Sequence, residues 1–491
     1  MSRDCCTWSG VTCDEVAGRV IRLDLECSGL QGILDSNNTL FSLGHLQSLD
    51  LSGNYFYGSE IAPQFGRFQN MIHLDLSNSG FTGQVSLELS YLSNLVALDL
   101  RSYYTSVVKL ETSSWKRIVA NLTNLQELFL SGVNMSSVLP NSFMNLSTSL
   151  TSLYLREYLS ENGLKGEFPE HIFNLPNLQE LDLSGNVDLN GSFPQYNWSS
   201  PLRVLDLSRS GFLIDLPYLT RKLKYLDVLT LSGCKFRGSS PRLLGNFSQI
   251  TSLDLSSNNF GTQIPCSFFS NLQQLDYLNL ANCNFIGQLP EICSNSTESS
   301  FPHVSSKSQL EGSLLLNLRD LYLYSNKLNG TIPSWLFSLP SLQYLYLQSN
   351  QFTGHIHEFQ YDSLIKFHLG YNKLQGLFPS SIFQQVNLSS LLLSSNNLSG
   401  VMPLDQFSKL KNLERLGLSY NSLSLVSINS TDFTLPNTIS ALDLSSCGLG
   451  EFPYSLRSLE NLEQLNLSNN QIEGSIFPIG CGMWGRIHCV S

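Results

Sequence analysis

One phrase, L-x-x-L-x-L-x-x-N-x-h-x-G-x-h-P with h apolar, recurs about eighteen times along the 491 residues, most often every 24 residues. A clear copy runs Leu318, Leu321, Leu323, Asn326, Leu328, Gly330, Ile332 and Pro333, and the next begins at Leu342. A unit this short cannot bury its own leucines, so successive units must stack and share one core.

The phrase specifies a leucine-rich-repeat solenoid of the α/β type: a right-handed superhelix of 24-residue repeats with a parallel concave β-sheet. In each L-x-L the leucines point inward and the intervening residues outward, as the two-residue strand period requires. Strand centres are expected from Leu23 to Leu465, eighteen in all, reaching roughly 85 Å at about 4.8 Å per strand. The G-x-h-P clause, as in Gly330-Thr331-Ile332-Pro333, disfavours helix and predicts a short second strand or polyproline-like piece. The convex side is then irregular, with short 3₁₀ turns.

Asparagine late in the phrase, at Asn54, Asn186, Asn258, Asn326, Asn350, Asn372, Asn396, Asn421 and Asn469, should form a buried ladder that satisfies backbone groups at the turn. Cys27, Cys234, Cys283 and Cys447 stand there in four repeats and read as unpaired structural thiols.

Residues 1–19 read as a partial N-terminal cap and 20–476 as the repeats, irregular at 101–126, 154–165 and 293–314. Residues 477–491 form an atypical tail. The cap holds Cys5-Cys6-Thr7-Trp8 and Cys13; we pair Cys6 with Cys13, leaving Cys5 for a partner upstream of Met1. Cys266 and Cys293 follow the Pro in adjacent repeats and are a second candidate pair. The tail is either a small cap closed by Cys481 and Cys489 or the product of a truncated or mispredicted reading frame.

Only 14% of residues are charged and the net charge is −11, with no Lys/Arg cluster, which excludes a nucleic-acid groove. No apolar run of 18 residues exists, so the chain itself offers no membrane span. Ser-Arg-Asp-Cys-Cys follows Met1 directly, so no signal peptide is expected either. Cysteines together with sequons at Asn37, Asn121, Asn134, Asn145, Asn190, Asn197, Asn246, Asn295, Asn329, Asn387, Asn397, Asn429 and Asn466 point to an oxidising, glycosylating compartment.

The Gly-x-Ile-Pro clause and the Cys-Cys-x-Trp-x-Gly-Val-x-Cys-Asp cap together resemble plant extracellular leucine-rich-repeat proteins. The long repeat with Lys109-Leu110-Glu111, Trp115, Ala120-Asn121-Leu122-Thr123-Asn124-Leu125 and Gly132-Val133-Asn134 is similar to receptor-like proteins of the fungal-resistance class. That resemblance implies an ectodomain on the extracellular face of the cell membrane, single-pass type I in the full-length family. It implies recognition of a microbial or endogenous protein or peptide ligand in defence or development. Signalling would pass through partner receptor kinases, without catalysis. Alternatives are a secreted inhibitor of microbial wall-degrading enzymes, similar to polygalacturonase inhibitors, and an ectodomain fragment of a receptor kinase.

The outward positions select one candidate ligand surface: Asp320, Tyr322, Tyr324, Tyr344, Tyr346, Lys366 and His368. Tyrosine supplies rigid contact area at low entropic cost. Eight strands carry an outward Asp (Asp24, Asp50, Asp75, Asp99, Asp182, Asp206, Asp254 and Asp443), which reads as ordinary repeat chemistry. His355-x-His357 could hold a metal only with a third ligand such as His368, and these should face different ways. No phosphate loop, nucleophile elbow or kinase motif occurs, so neither catalytic residues nor metal or cofactor are expected.

Overall fold

A computed structural model describes residues 4–491 except 104–107, 159–162, 195–197, 237–248, 271, 292–314, 427–434, 454, 457–458, 474–487 and 490–491. The chain forms two compact units, Met1–Arg237 and Gly238–Ser491. Each is a run of leucine-rich repeats around a continuous core.

All eighteen expected centres fall within strands. In the first unit these run from Val20–Asp24 to Val228–Thr230, and in the second from Ser252–Asp254 to Gln464–Asn466. Neighbours pair in parallel with the leucines in register, as in Leu321 with Leu345 and Leu345 with Phe367. The register follows from burial: a one-residue slip would turn every leucine outward. Leu321, Leu345 and Phe367 are fully buried, and a buried side chain of this size contributes about 1.5–3 kcal/mol. Outside the phrase, Val11–Cys13 pairs antiparallel with Val20–Asp24, and His488–Cys489 pairs in parallel with Gln464–Asn466.

The asparagine ladder is present. Asn350 Nδ2 donates to the carbonyls of Leu323 (2.9 Å) and Leu347 (3.1 Å), and its Oδ1 accepts from Leu328 N at 3.1 Å. The last rung differs by one residue from the sequence expectation. Asn470, not Asn469, donates to Leu444 and Leu467, while Asn469 takes a left-handed φ of 56°. The rung always lies three residues after the second leucine, and Leu467 therefore selects the second Asn of the doublet. By the same count Cys27 is off the ladder, at an exposed left-handed position. Cys234, Cys283 and Cys447 are on it, their thiols directed at the carbonyls of Leu207, Leu255 and Leu418.

The G-x-h-P clause forms short parallel side strands, such as Lys327–Thr331 between Ile286–Gln288 and Gln351–Thr353. Its glycine is required at Gly376, where φ is 85° and a Cβ would strike the His355 ring. The convex side is more ordered than expected. Besides 3₁₀ turns it carries α-helices Thr112–Asn121, Leu216–Lys222 and Cys266–Ser270. The first occupies the long repeat, where extra residues without Pro or Gly allow a full helix. Its Trp115, Ile118 and Val119 are buried, and Trp115 heads a ring row through Phe143 and Phe168 with centroids 4.6 and 5.1 Å apart.

Cys6 and Cys13 form a disulfide. Cys266 is also disulfide-bonded; its expected partner Cys293 lies outside the described residues, as does Cys481 of the tail. Burial pushes the Cys283 and Cys447 thiols up to about 12.

Replacing Asn350 by Ala strands two buried carbonyls and one N–H, and should cost about 2–3 kcal/mol, read as a lower urea midpoint at unchanged slope. Alkylation of the native chain at pH 8 without reductant should label Cys27 and leave Cys6 and Cys13 unmodified. Cys283 and Cys447 should react very slowly, because a thiol at about 12 holds roughly a thousandth of the usual thiolate. Label on Cys6 or Cys13 would remove the cap disulfide.

Candidate ligand-binding surface

Ladder and leucines together hold the outward residues of the second unit in straight columns. One column reads Asp320, Tyr344, Lys366 and the next Tyr322, Tyr346, His368. Tyr324 and Gln348 follow two residues on, so all seven candidates share one face. The register adds Tyr277 beside Asp320 and Asn279 beside Tyr322.

The tyrosines are half-buried by one another rather than freely exposed. Tyr277, Tyr322, Tyr346 and His368 form a continuous row with successive centroids 5.5, 4.8 and 4.4 Å apart, the central pair stacked. Lys366 Nζ lies 5.9 Å from the Tyr344 ring centre. Each aromatic contact contributes about 0.5–1.5 kcal/mol, and together they fix rotamers that a binding surface would otherwise have to order.

Burial raises the Tyr322 hydroxyl above its ordinary value, helped by the Asp320 charge. Burial and the Asp276 charge raise Asp320. His368 is held down to about 4, first by burial and then by the Lys366 and Arg415 charges, while its Nε2 lies 2.8 Å from Ser390 Oγ. Asp320 Oδ1 and Gln348 Oε1 are buried acceptors with no hydrogen-bond partner among the described residues.

Beyond His368 the bulk disappears and a hollow of about 610 Å³ opens. Gly370 and Gly417 form part of its lining; a Cβ on Gly417 would come within 3.0 Å of Leu392 and 3.1 Å of Ser394 Oγ. Leu392 and Ala441 give the hollow apolar wall, and Tyr371 and Tyr420, both mostly exposed, contribute rings. Asp443 is occupied: its Oδ2 accepts from Ser419 and its Oδ1 from Ser445. Arg415 is exposed and makes no ion pair among the described residues. The sequence marks Asp443 as an outward aspartate but not the hollow, which arises from side chains that are missing on successive strands. The glycines inside Leu369-Gly370 and Leu416-Gly417-Leu418 are the one local sign of it.

The outward aspartates have a structural task. Asp50, Asp75, Asp182, Asp206 and Asp254 each accept the N–H of the serine two residues later, at 2.8–2.9 Å, closing the turn that leaves the sheet. In the first unit, Asp50, Asp75, Asp99, Arg101 and Glu127 line a smaller hollow of about 400 Å³. Burial and the Asp99 charge push Asp75 up to about 6, while Arg101 pairs with Asp99 at 2.5 Å. His355 Nδ1 lies 3.1 Å from the Gln375 carbonyl and His357 packs on Phe337, both away from the sheet residue His368.

The Leucine Rich Repeat family matches residues 45–68, 249–272, 274–296, 317–339, 341–361 and 461–483. Receptor-like protein 6 of Arabidopsis thaliana is 39% identical over 232 residues, 46% of this chain and 23% of that protein. Receptor-like protein 41 of the same plant is 31% identical over 474 residues, 96% of this chain and 42% of the relative. The chain is a homologue of plant leucine-rich-repeat receptor-like proteins. It spans less than half the length of these relatives. The crystal structure of the Arabidopsis receptor kinase HAESA with the peptide hormone IDA and the co-receptor SERK1 superposes with a TM-score of 0.57 at 25% identity, covering 98% of this chain and 92% of that one.

In this receptor-like homologue the ring row makes a pH prediction. A folded value near 4 against 6.5 unfolded means that the neutral imidazole is favoured by folding. His368 then contributes stability above pH 6.5 that is lost as pH falls through about 4. An NMR titration should place its midpoint near 4. Lys366→Met should raise that midpoint without reaching 6.5, because burial is the larger cause. A wild-type midpoint at 6.5 would contradict the packed row.

Proposed function

We propose that the chain is the ligand-recognising part of a plant receptor-like protein displayed outside the cell, acting in defence or development by binding rather than catalysis. The ring row beside the hollow is the proposed contact for a peptide or protein loop. The observation that carries this is the pre-ordered row of Tyr277, Tyr322, Tyr346 and His368 on an outward face that runs into the hollow. Arg415 and Lys366 favour a segment bearing an acceptor or negative charge.

HAESA binds a peptide hormone and a co-receptor, and its likeness to this chain supports the same division of labour here, with a receptor kinase supplying the signal. The relatives that match are receptor-like proteins, which supports a cell-surface location. Among the described residues no helix is long and apolar enough to cross a membrane.

Peptides selected by display against the purified chain provide a test that needs no known ligand. Tyr322→Ala combined with Tyr346→Ala should weaken the selected peptides at least tenfold, about 1.4 kcal/mol, with the thermal transition still cooperative. If they bind the double variant undiminished but are lost on substitution of Glu127 in the first unit's hollow, the contact surface lies there instead.

A further inference from the structure

Among the described sequon asparagines, only Asn466 lies in a strand of a main sheet. Asn190, Asn329 and Asn397 sit in side strands, and Asn121, Asn145 and Asn387 at or just after helical turns. Asn466 also lines the hollow of about 610 Å³. It stands in register with Asp443, in the column that other repeats fill with the turn-closing aspartate, and it does that aspartate's work. Its Oδ1 accepts from Ser468 N at 3.1 Å and from Ser468 Oγ at 2.8 Å. With Oδ1 so engaged, Nδ2 has no hydrogen bond among the described residues.

We propose that Asn466 carries an N-linked oligosaccharide that covers the hollow and controls access to it. Transfer forms a bond from Nδ2 to the anomeric carbon of the sugar. It breaks that carbon's bond to a lipid-pyrophosphate carrier, and the displaced Nδ2 proton leaves with the pyrophosphate. The product remains an amide whose oxygen still accepts from Ser468, so the modification leaves the folded turn intact. Its first sugar emerges into a space of the size that takes small ligands. Tyr371 and Tyr420 offer ring faces there and Arg415, Gln348 and Gln464 offer polar partners. The Cys6–Cys13 disulfide accords with the secretory route such a transfer needs. The functional consequence rests on the hollow belonging to the ligand surface; the covering itself does not.

The test therefore uses no ligand. The full chain is secreted from a glycosylating plant cell line, and the Asn466 peptide is read by mass spectrometry with and without enzymatic release of glycans. The rate of Arg415 modification by phenylglyoxal is followed, with Arg319, away from the hollow lining, as internal standard. The glycosylated chain should show a several-fold slower Arg415 reaction than Asn466→Asp, which keeps the turn by restoring the column's usual residue. Ser468→Ala removes the sequon independently and should match it. An unmodified Asn466 overturns the proposal, and so does a glycosylated Asn466 with Arg415 reacting at the rate of the variants. Loss of peptide binding in the tyrosine variants would bear on the ligand surface alone.

Discussion

The hydrogen bonds of the ladder amides hold the repeats to one another. A strand that leaves a parallel sheet at a turn strands carbonyls inside the solenoid, where water cannot reach them. Asn350 answers carbonyls of two successive repeats with a single Nδ2, those of Leu323 and Leu347. A thiol supplies one weak donor in place of two, so the rung at Cys283 is thinner, and the next asparagine compensates. Asn326 Oδ1 accepts both Cys283 N and Phe285 N, and Asn470 does the same for Cys447 N and Leu449 N. A cysteine rung is thus tolerated where its neighbour's carbonyl oxygen takes up the extra N–H.

Because the buried leucines fix register and the ladder closes each turn, the outward face becomes a set of columns whose content the core does not constrain. Rings placed in one column come into contact, Tyr322 stacked on Tyr346 and His368 set edge-on to Tyr346. A glycine placed there removes a patch of surface, as Gly370 and Gly417 do. Shape and chemistry on this face come from substitutions that leave the leucines untouched, which is why relatives can share the architecture and differ in what they touch.

The sequence makes the leucines, the strands and most rungs legible because each depends on residues within one repeat. The shift from Asn469 to Asn470 and the exposure of Cys27 show where spacing is ambiguous: only the count from the second leucine identifies the rung. Helix Thr112–Asn121 was concealed by its Thr-Ser-Ser start, which reads as loop until Trp115, Ile118 and Val119 are seen sharing a buried face. The hollow is harder still, since Gly370, Gly417 and Asn466 come from different repeats and the feature is a missing volume. The tyrosine cluster was visible as outward aromatics, but not the unsatisfied oxygens beside it, which depend on packing.

The aspartate column separates what the fold needs from what it merely permits. Turn closure requires an acceptor oxygen two residues before a backbone N–H, and Asn279 and Asn466 supply one without charge. The negative charge at Asp50 and Asp75 is therefore not required for the turn, and burial and crowding raise Asp75 to about 6. What the charge does provide is an acidic lining for the first unit's hollow, only partly offset by Arg22 and Arg101. The second unit's hollow has Arg415 at its wall and its one lining carboxylate, Asp443, held by Ser419 and Ser445. Surfaces built on the same repeat thus attract groups of opposite sign, and a ligand segment matched to one is mismatched to the other.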